Sequence, residues 1–207
     1  MCAYIYIERM NGPILQHFAY RVSQVFNPLF IVACIFLGIL YDCLPSLNVF
    51  VVCLTVFVIF GILLPMGPVV YLYCKGVVPS LFVPERKKRV KLLLFALASC
   101  GIGLGLLVVL GAPRPVIAVM GCYVVQAFLM FVLTQRIKVS LHAAGVWGGW
   151  AMLGIYNGLT TFWILPLPVL VSWSRVVIQA HTPLQVFWGG AVGGGVTWLV
   201  FNYLLKG

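Results

Sequence analysis

The sequence predicts an all-α fold: a polytopic membrane helical bundle of about seven transmembrane helices, forming one membrane domain over 1–207. Three observations predict it. Hydrophobic residues make up 63% of the chain and charged ones 8%, with a mean hydropathy of +1.13, too little polar surface for a water-soluble domain. The apolar residues fall into runs near the ~20 residues a helix needs to cross hydrocarbon. Charges sit between these runs and not within them, as the cost of a charge in hydrocarbon demands.

The N-terminal segment 1–21 mixes apolar and polar residues, includes the turn signal Asn11-Gly12-Pro13, and reads as interfacial. Its Glu8, Arg9 and Arg21 do not fit a cleavable signal peptide. The first membrane run is Val22–Tyr41, with Pro28 in its early turns and Asp42 at its end. The second, Leu47–Tyr73, is longer than a bilayer needs and is expected to bend at Pro65 and Pro68. A basic loop, 74–91, follows and carries Pro84-Glu85-Arg86-Lys87-Lys88-Arg89. Leu92–Gly111 and Val116–Thr134 are the third and fourth runs, joined by Ala112-Pro113-Arg114-Pro115. Val139–Gly158 is the fifth, Leu159–Trp173, with Pro166 and Pro168, the short sixth, and Leu184–Leu205 the seventh.

The formal charge of +10 arises from 13 Lys+Arg against three acids. With no soluble domain to carry a nucleic-acid surface, the excess reads as positive-inside bias facing an anionic lipid surface. With the N-terminus cytoplasmic, eleven basic residues fall inside and only Arg114 and Lys206 outside. That orientation places the basic loop, His142, Arg175 and His181 on one face.

The seven cysteines (2, 34, 43, 53, 74, 100 and 122) are scattered and form neither a CxxC nor a Cys/His ligand set, so no metal site and no disulfide framework is read. Acids are too few and too dispersed for a carboxylate pair, and nothing in the pattern calls for a cofactor. Glycines spaced by four (Gly101/Gly105, Gly145/Gly149, Gly154/Gly158, Gly189/Gly193) predict close helix packing. His17 and the aromatic residues read as interfacial and packing groups.

One stretch concentrates chemistry. Ser174–Gln185, SRVVIQAHTPLQ, sets an arginine and a histidine six residues apart before an apolar run. It resembles the third signature of the PAP2 superfamily (type 2 phosphatidic acid phosphatases), SRxxxxxHxxxD. Ser174, Arg175 and His181 match, and Gln185 stands where that family has aspartate. The second signature, PSGH, is similar to Val139-Ser140-Leu141-His142, which keeps the serine and the histidine. The first, KxxxxxxRP, is missing: Arg114-Pro115 has Leu107 in place of the lysine and falls on the other face.

The resemblance implies a PAP2-like core with its signature region in 139–205. It implies His181 as nucleophile forming a phosphohistidine, and His142 as the acid for the leaving oxygen. Arg175 and Ser174 would bind the phosphoryl group, joined by Arg86 and Lys87 from the basic loop, with Gln185 orienting His181 on a shared helix face. The implied reaction is metal-independent hydrolysis of a membrane lipid phosphate or isoprenoid diphosphate at the cytoplasmic interface. The expected setting is a bacterial inner membrane; the sequence leaves the oligomeric state and the lipid open. Two rivals stand beside it: a PAP2-like protein that binds or moves a phosphorylated lipid without hydrolysis, and an unrelated membrane structural subunit.

Overall fold

The computed structural model describes residues 14–43, 46–78, 83 and 85–206. Cys2, Glu8, Arg9 and the Asn11–Pro13 turn lie outside the described residues, as do 79–82 and Pro84 of the basic loop. The described residues form helices and no strand: α1 (Ile14–Val25), α2 (Pro28–Cys43), α3 (Leu47–Val56), a π-helical turn (Phe57–Leu63), α4 (Leu64–Cys74), α5 (Arg86–Val109), α6 (Arg114–Thr134), α7 (Leu141–Asn157), a 3₁₀ segment (Gly158–Ile164), α8 (Pro166–Val177) and α9 (Pro183–Lys206). Among the described residues, five stretches are long and apolar enough to cross a membrane: Ile14–Cys43, Leu47–Cys74, Arg86–Val109, Arg114–Thr134 and Pro183–Leu205. The chain is a multi-pass helical membrane protein.

The other two expected runs are shorter. α7 has 17 residues and stops at Gly158, whose φ of 70° is a conformation glycine adopts without penalty. Pro166 and Pro168, favoured in a first turn where no N–H is needed, then start α8 afresh, and it has 12 residues. The first run is also split, since Val22 belongs to α1. Asn27 accepts the Leu29 N–H at 3.0 Å and Pro28 opens α2, a capping residue followed by proline.

The second run departs from regularity before its prolines, not at them. At Leu64 the N–H bonds back five residues to Ile59, in π register. Continuing that register would pair the Phe60 carbonyl with Pro65, which has no N–H. From α5, Ser99 Oγ donates to that carbonyl at 2.8 Å, so the irregularity is satisfied by a neighbouring helix. Phe57, at the start of the turn, stacks on Phe36 with centroids 3.7 Å apart, tying α2 to it in the core.

The glycine pairs divide. A methyl group at Gly189 would strike the Ser140 carbonyl, and one at Gly193 the Ala144 carbonyl, so α7 and α9 meet backbone to backbone. Gly145 faces Pro28 and Gly149 faces Ile35, which brings α2 onto α7. Among the described residues nothing comes within 4 Å of a methyl placed at Gly101, Gly105, Gly154 or Gly158, so those two pairs make no close helix contact there. Beside the seam, Gln126 of α6 donates to the Gly193 carbonyl at 3.2 Å and to Thr197 Oγ1 at 3.0 Å.

Candidate active site

Hydrogen bonds tie together the basic ends of α5, α7, α8 and α9. Arg89 is buried in the first turn of α5; its Nη1 donates to the Val139 carbonyl at 3.0 Å and its Nη2 to the Val83 carbonyl at 3.1 Å. The Ser140 N–H donates to the Gln185 carbonyl at 3.1 Å. Lys138 Nζ donates to the Ala180 carbonyl at 3.3 Å, and Arg175 Nη1 to Ser23 Oγ of α1 at 2.7 Å.

Three helices end in the same hydrogen-bonded turn, in which an N–H just past the end bonds back to the carbonyl five residues earlier. In α4 and α5 the left-handed position is glycine, Gly76 with φ 69° and Gly111 with φ 65°. In α8 it is Gln179, with φ 55°, a residue that adopts this conformation at a cost of about 1 kcal/mol. The turn sends the N–H groups of both Ala180 and His181 to the Arg175 carbonyl at 3.2 Å. His181 is thereby folded back beside Arg175.

His181 precedes α9 and does not lie on it, because Pro183 fixes the helix start. Thr182 and Gln185 form a reciprocal cap: Gln185 N–H donates to Thr182 Oγ1 at 3.4 Å, and Thr182 N–H to Gln185 Oε1 at 3.3 Å. That same Oε1 lies 3.2 Å from His181 Nδ1, and the Lys138 carbonyl oxygen is also 3.2 Å from Nδ1. Both neighbours of Nδ1 are acceptors, since the Thr182 N–H fixes which end of the Gln185 amide faces it. Nδ1 therefore carries the proton and Nε2 the lone pair. Burial, followed by the charges of Arg89 and Arg175, pushes the His181 imidazole down to about 4, the Gln185 bond opposing them in part. Burial and the same two arginines lower the Lys138 ammonium.

His142, in the first turn of α7, is 8% exposed, and Arg175, His181 and Arg89 all act on it electrostatically. Ser140 caps α7 by accepting the Ala143 N–H at 3.3 Å. The Ser174 hydroxyl is buried and donates to the Val171 carbonyl at 2.7 Å within α8. Arg86 and Lys87 are exposed; they line an outer cleft with Val90, Lys91 and Gln135, and Arg86 Nη1 donates to the Arg136 carbonyl at 2.8 Å. The cations acting on His181 are Arg89, Arg175 and Lys138.

Sequence reading thus brings Arg175, His142, His181 and Gln185 together and misses Arg89, Lys138 and Ser23. Arg89 had a signal. The buried face of α5 contains Arg89, Leu93, Cys100, Gly103 and Leu107, and its helical phase, run back into the basic cluster, selects this arginine. Ser23 had none, since it meets Arg175 only through the fold.

Among the described residues, no carboxylate acts on His181, and no group of three His, Cys, Asp or Glu side chains is placed to hold a metal. The arrangement offers a bare imidazole nitrogen beside three cations in a buried setting, suited to an anionic, electrophilic group. No family model, curated protein or solved structure matches the chain.

Proposed function

We propose that the chain is a membrane phosphatase of the PAP2 type, hydrolysing a lipid phosphate or diphosphate without a metal. The observation that carries this is the conjunction of His181, its proton held on Nδ1, with buried Arg175 and Arg89 and a second buried histidine, His142. In this reading Nε2 of His181 attacks phosphorus, the bond to the lipid oxygen breaks, and His142 gives that oxygen its proton. The bound phosphoryl group brings the negative charge that lets His142 hold the proton among so many cations. Water then attacks phosphorus, His142 takes a proton from that water, and the P–N bond breaks to free His181 and phosphate. Arg89 and Arg175 fit the phosphoryl oxygens, because guanidinium forks donate paired bonds to tetrahedral anions.

α7 and α8 complete a seven-helix bundle in this reading, packed against the five longer spans. The concentration of Lys and Arg at the site's end favours a cytoplasmic face and an internal N-terminus, and a bacterial inner membrane is the setting this reading expects. The test is phosphate release by the detergent-solubilised chain from phosphatidate and from an isoprenoid diphosphate, with EDTA present. Turnover that His181→Ala and Arg175→Ala each abolish is expected. No release from either lipid, with binding retained, supports the second reading, a protein that binds or moves the phosphorylated lipid. Gln185 in place of a carboxylate favours that alternative, since the positive charge growing on His181 lacks a counter-charge.

A further inference from the structure

We propose that the outer cleft between the start of α5 and the end of α6 seats the headgroup of an anionic membrane phospholipid, separately from the buried cluster. The cleft is open, about 370 Å³, and lined by Arg86, Lys87, Val90, Lys91 and Gln135. That volume falls in the range of small-molecule sites, about 300–1,000 Å³.

Among the described residues no carboxylate pairs with the cations of the cleft. α5 has no acid in its first turn, where the helix dipole is positive and cations are disfavoured. The neighbouring carboxylate, Glu85, is held by Lys88 at 2.9 Å. Arg86 is oriented by the Arg136 carbonyl, while Arg89, one turn on, faces inward and belongs to the buried cluster. An anion in the cleft would relieve three cations and complete the helix end at once.

The surroundings identify a lipid as the source of that anion. The cleft lies at the ends of two membrane-length helices. On α5, Leu94 lies one heptad from Lys87 and is exposed, and beyond it Gly101 and Gly105 face open space. On α6, Val132 and Phe128 lie three and seven residues before Gln135 and are also exposed. A basic cleft thus opens onto two uncovered apolar helix faces, the pattern of a phosphate carried above acyl chains.

Dioleoyl phosphatidylglycerol titrated into the full-length, detergent-solubilised chain, followed by native mass spectrometry, tests this. The phosphatidylcholine with the same acyl chains is the neutral reference, and inorganic phosphate the competitor without chains. Phosphatidylglycerol should bind in preference to phosphatidylcholine, and Lys87→Gln/Lys91→Gln should weaken it about ten-fold or more. Lys75→Gln, which removes an exposed cation packed over the Tyr71 ring, should leave binding unchanged. Equal weakening by Lys75→Gln would mean diffuse surface charge and overturn the proposal. So would an unaffected double variant, equal binding of the two lipids, or displacement by millimolar phosphate. None of these outcomes depends on hydrolysis.

Discussion

Gln185 caps α9 and orients His181 with a single oxygen, and three substitutions separate the two roles. Gln185→Leu removes both. The Lys138 carbonyl still accepts from Nδ1, so the tautomer survives and the loss is about one neutral hydrogen bond, ~1 kcal/mol, or roughly 5- to 10-fold in turnover. Stability falls as well, by about 1 kcal/mol for the cap. Thr182→Ala removes the other half of the cap but leaves the Thr182 N–H and the His181 bond in place. It should cost similar stability with turnover unchanged. Gln185→Glu preserves the cap and its length while supplying a carboxylate. A charge-assisted bond is about twice as strong as a neutral one, so turnover should rise several-fold, and KM should rise too, as the new charge repels phosphate. Phosphate release and thermal unfolding in detergent measure both effects. Wild-type turnover in a folded Gln185→Leu variant would refute the orienting role.

Two further outcomes are expected. Ser99→Ala leaves the Phe60 carbonyl with only the weak Cys100 thiol donor at 3.7 Å and should cost about 1 kcal/mol, read as reduced resistance to unfolding in detergent; wild-type stability would show that the π turn does not need the hydroxyl. The His181 ring signal, identified by its loss in His181→Gln, should titrate near pH 4 in NMR of the phosphate-free protein. Its folded value lies below the ordinary 6.5, so the neutral ring's contribution to stability is complete above pH 6.5 and is lost as pH falls toward 4. A midpoint at 6 or higher would place the ring outside the influence of the two arginines.

Much of the fold was legible because its signals are local. The glycines of α7 and α9 mark a seam through chemistry confined to a few residues, whereas the helix start at Asn27-Pro28 fell inside the run expected from Val22. The extent of the spans was less so: the fifth run ends at Gly158 as its length predicts, but apolar run length does not register the break at Leu165 inside the sixth. Within the basic cluster, composition treats Arg86, Lys87 and Arg89 alike. Only helical phase distinguishes the arginine that turns inward from the two that face out. Ser23 and Lys138 reach the site through contacts between distant elements, and no pattern in a single stretch encodes those.

The glycine seam sets a dimension as well as a contact. Gly193 lies eight residues along α9 from Gln185, about 12 Å at 1.5 Å per residue. Nothing separates it from the α7 backbone, so the distance between the starts of α7 and α9, beside which the two histidines sit, is gauged by the thickness of the main chain alone. A single methyl at Gly193 would act as a wedge near the middle of a lever, and the displacement would appear at its far end, where the Ser140–Gln185 bond closes the site. The spacing of the polar residues is thus calibrated by two positions that carry no side chain and touch none of the chemistry.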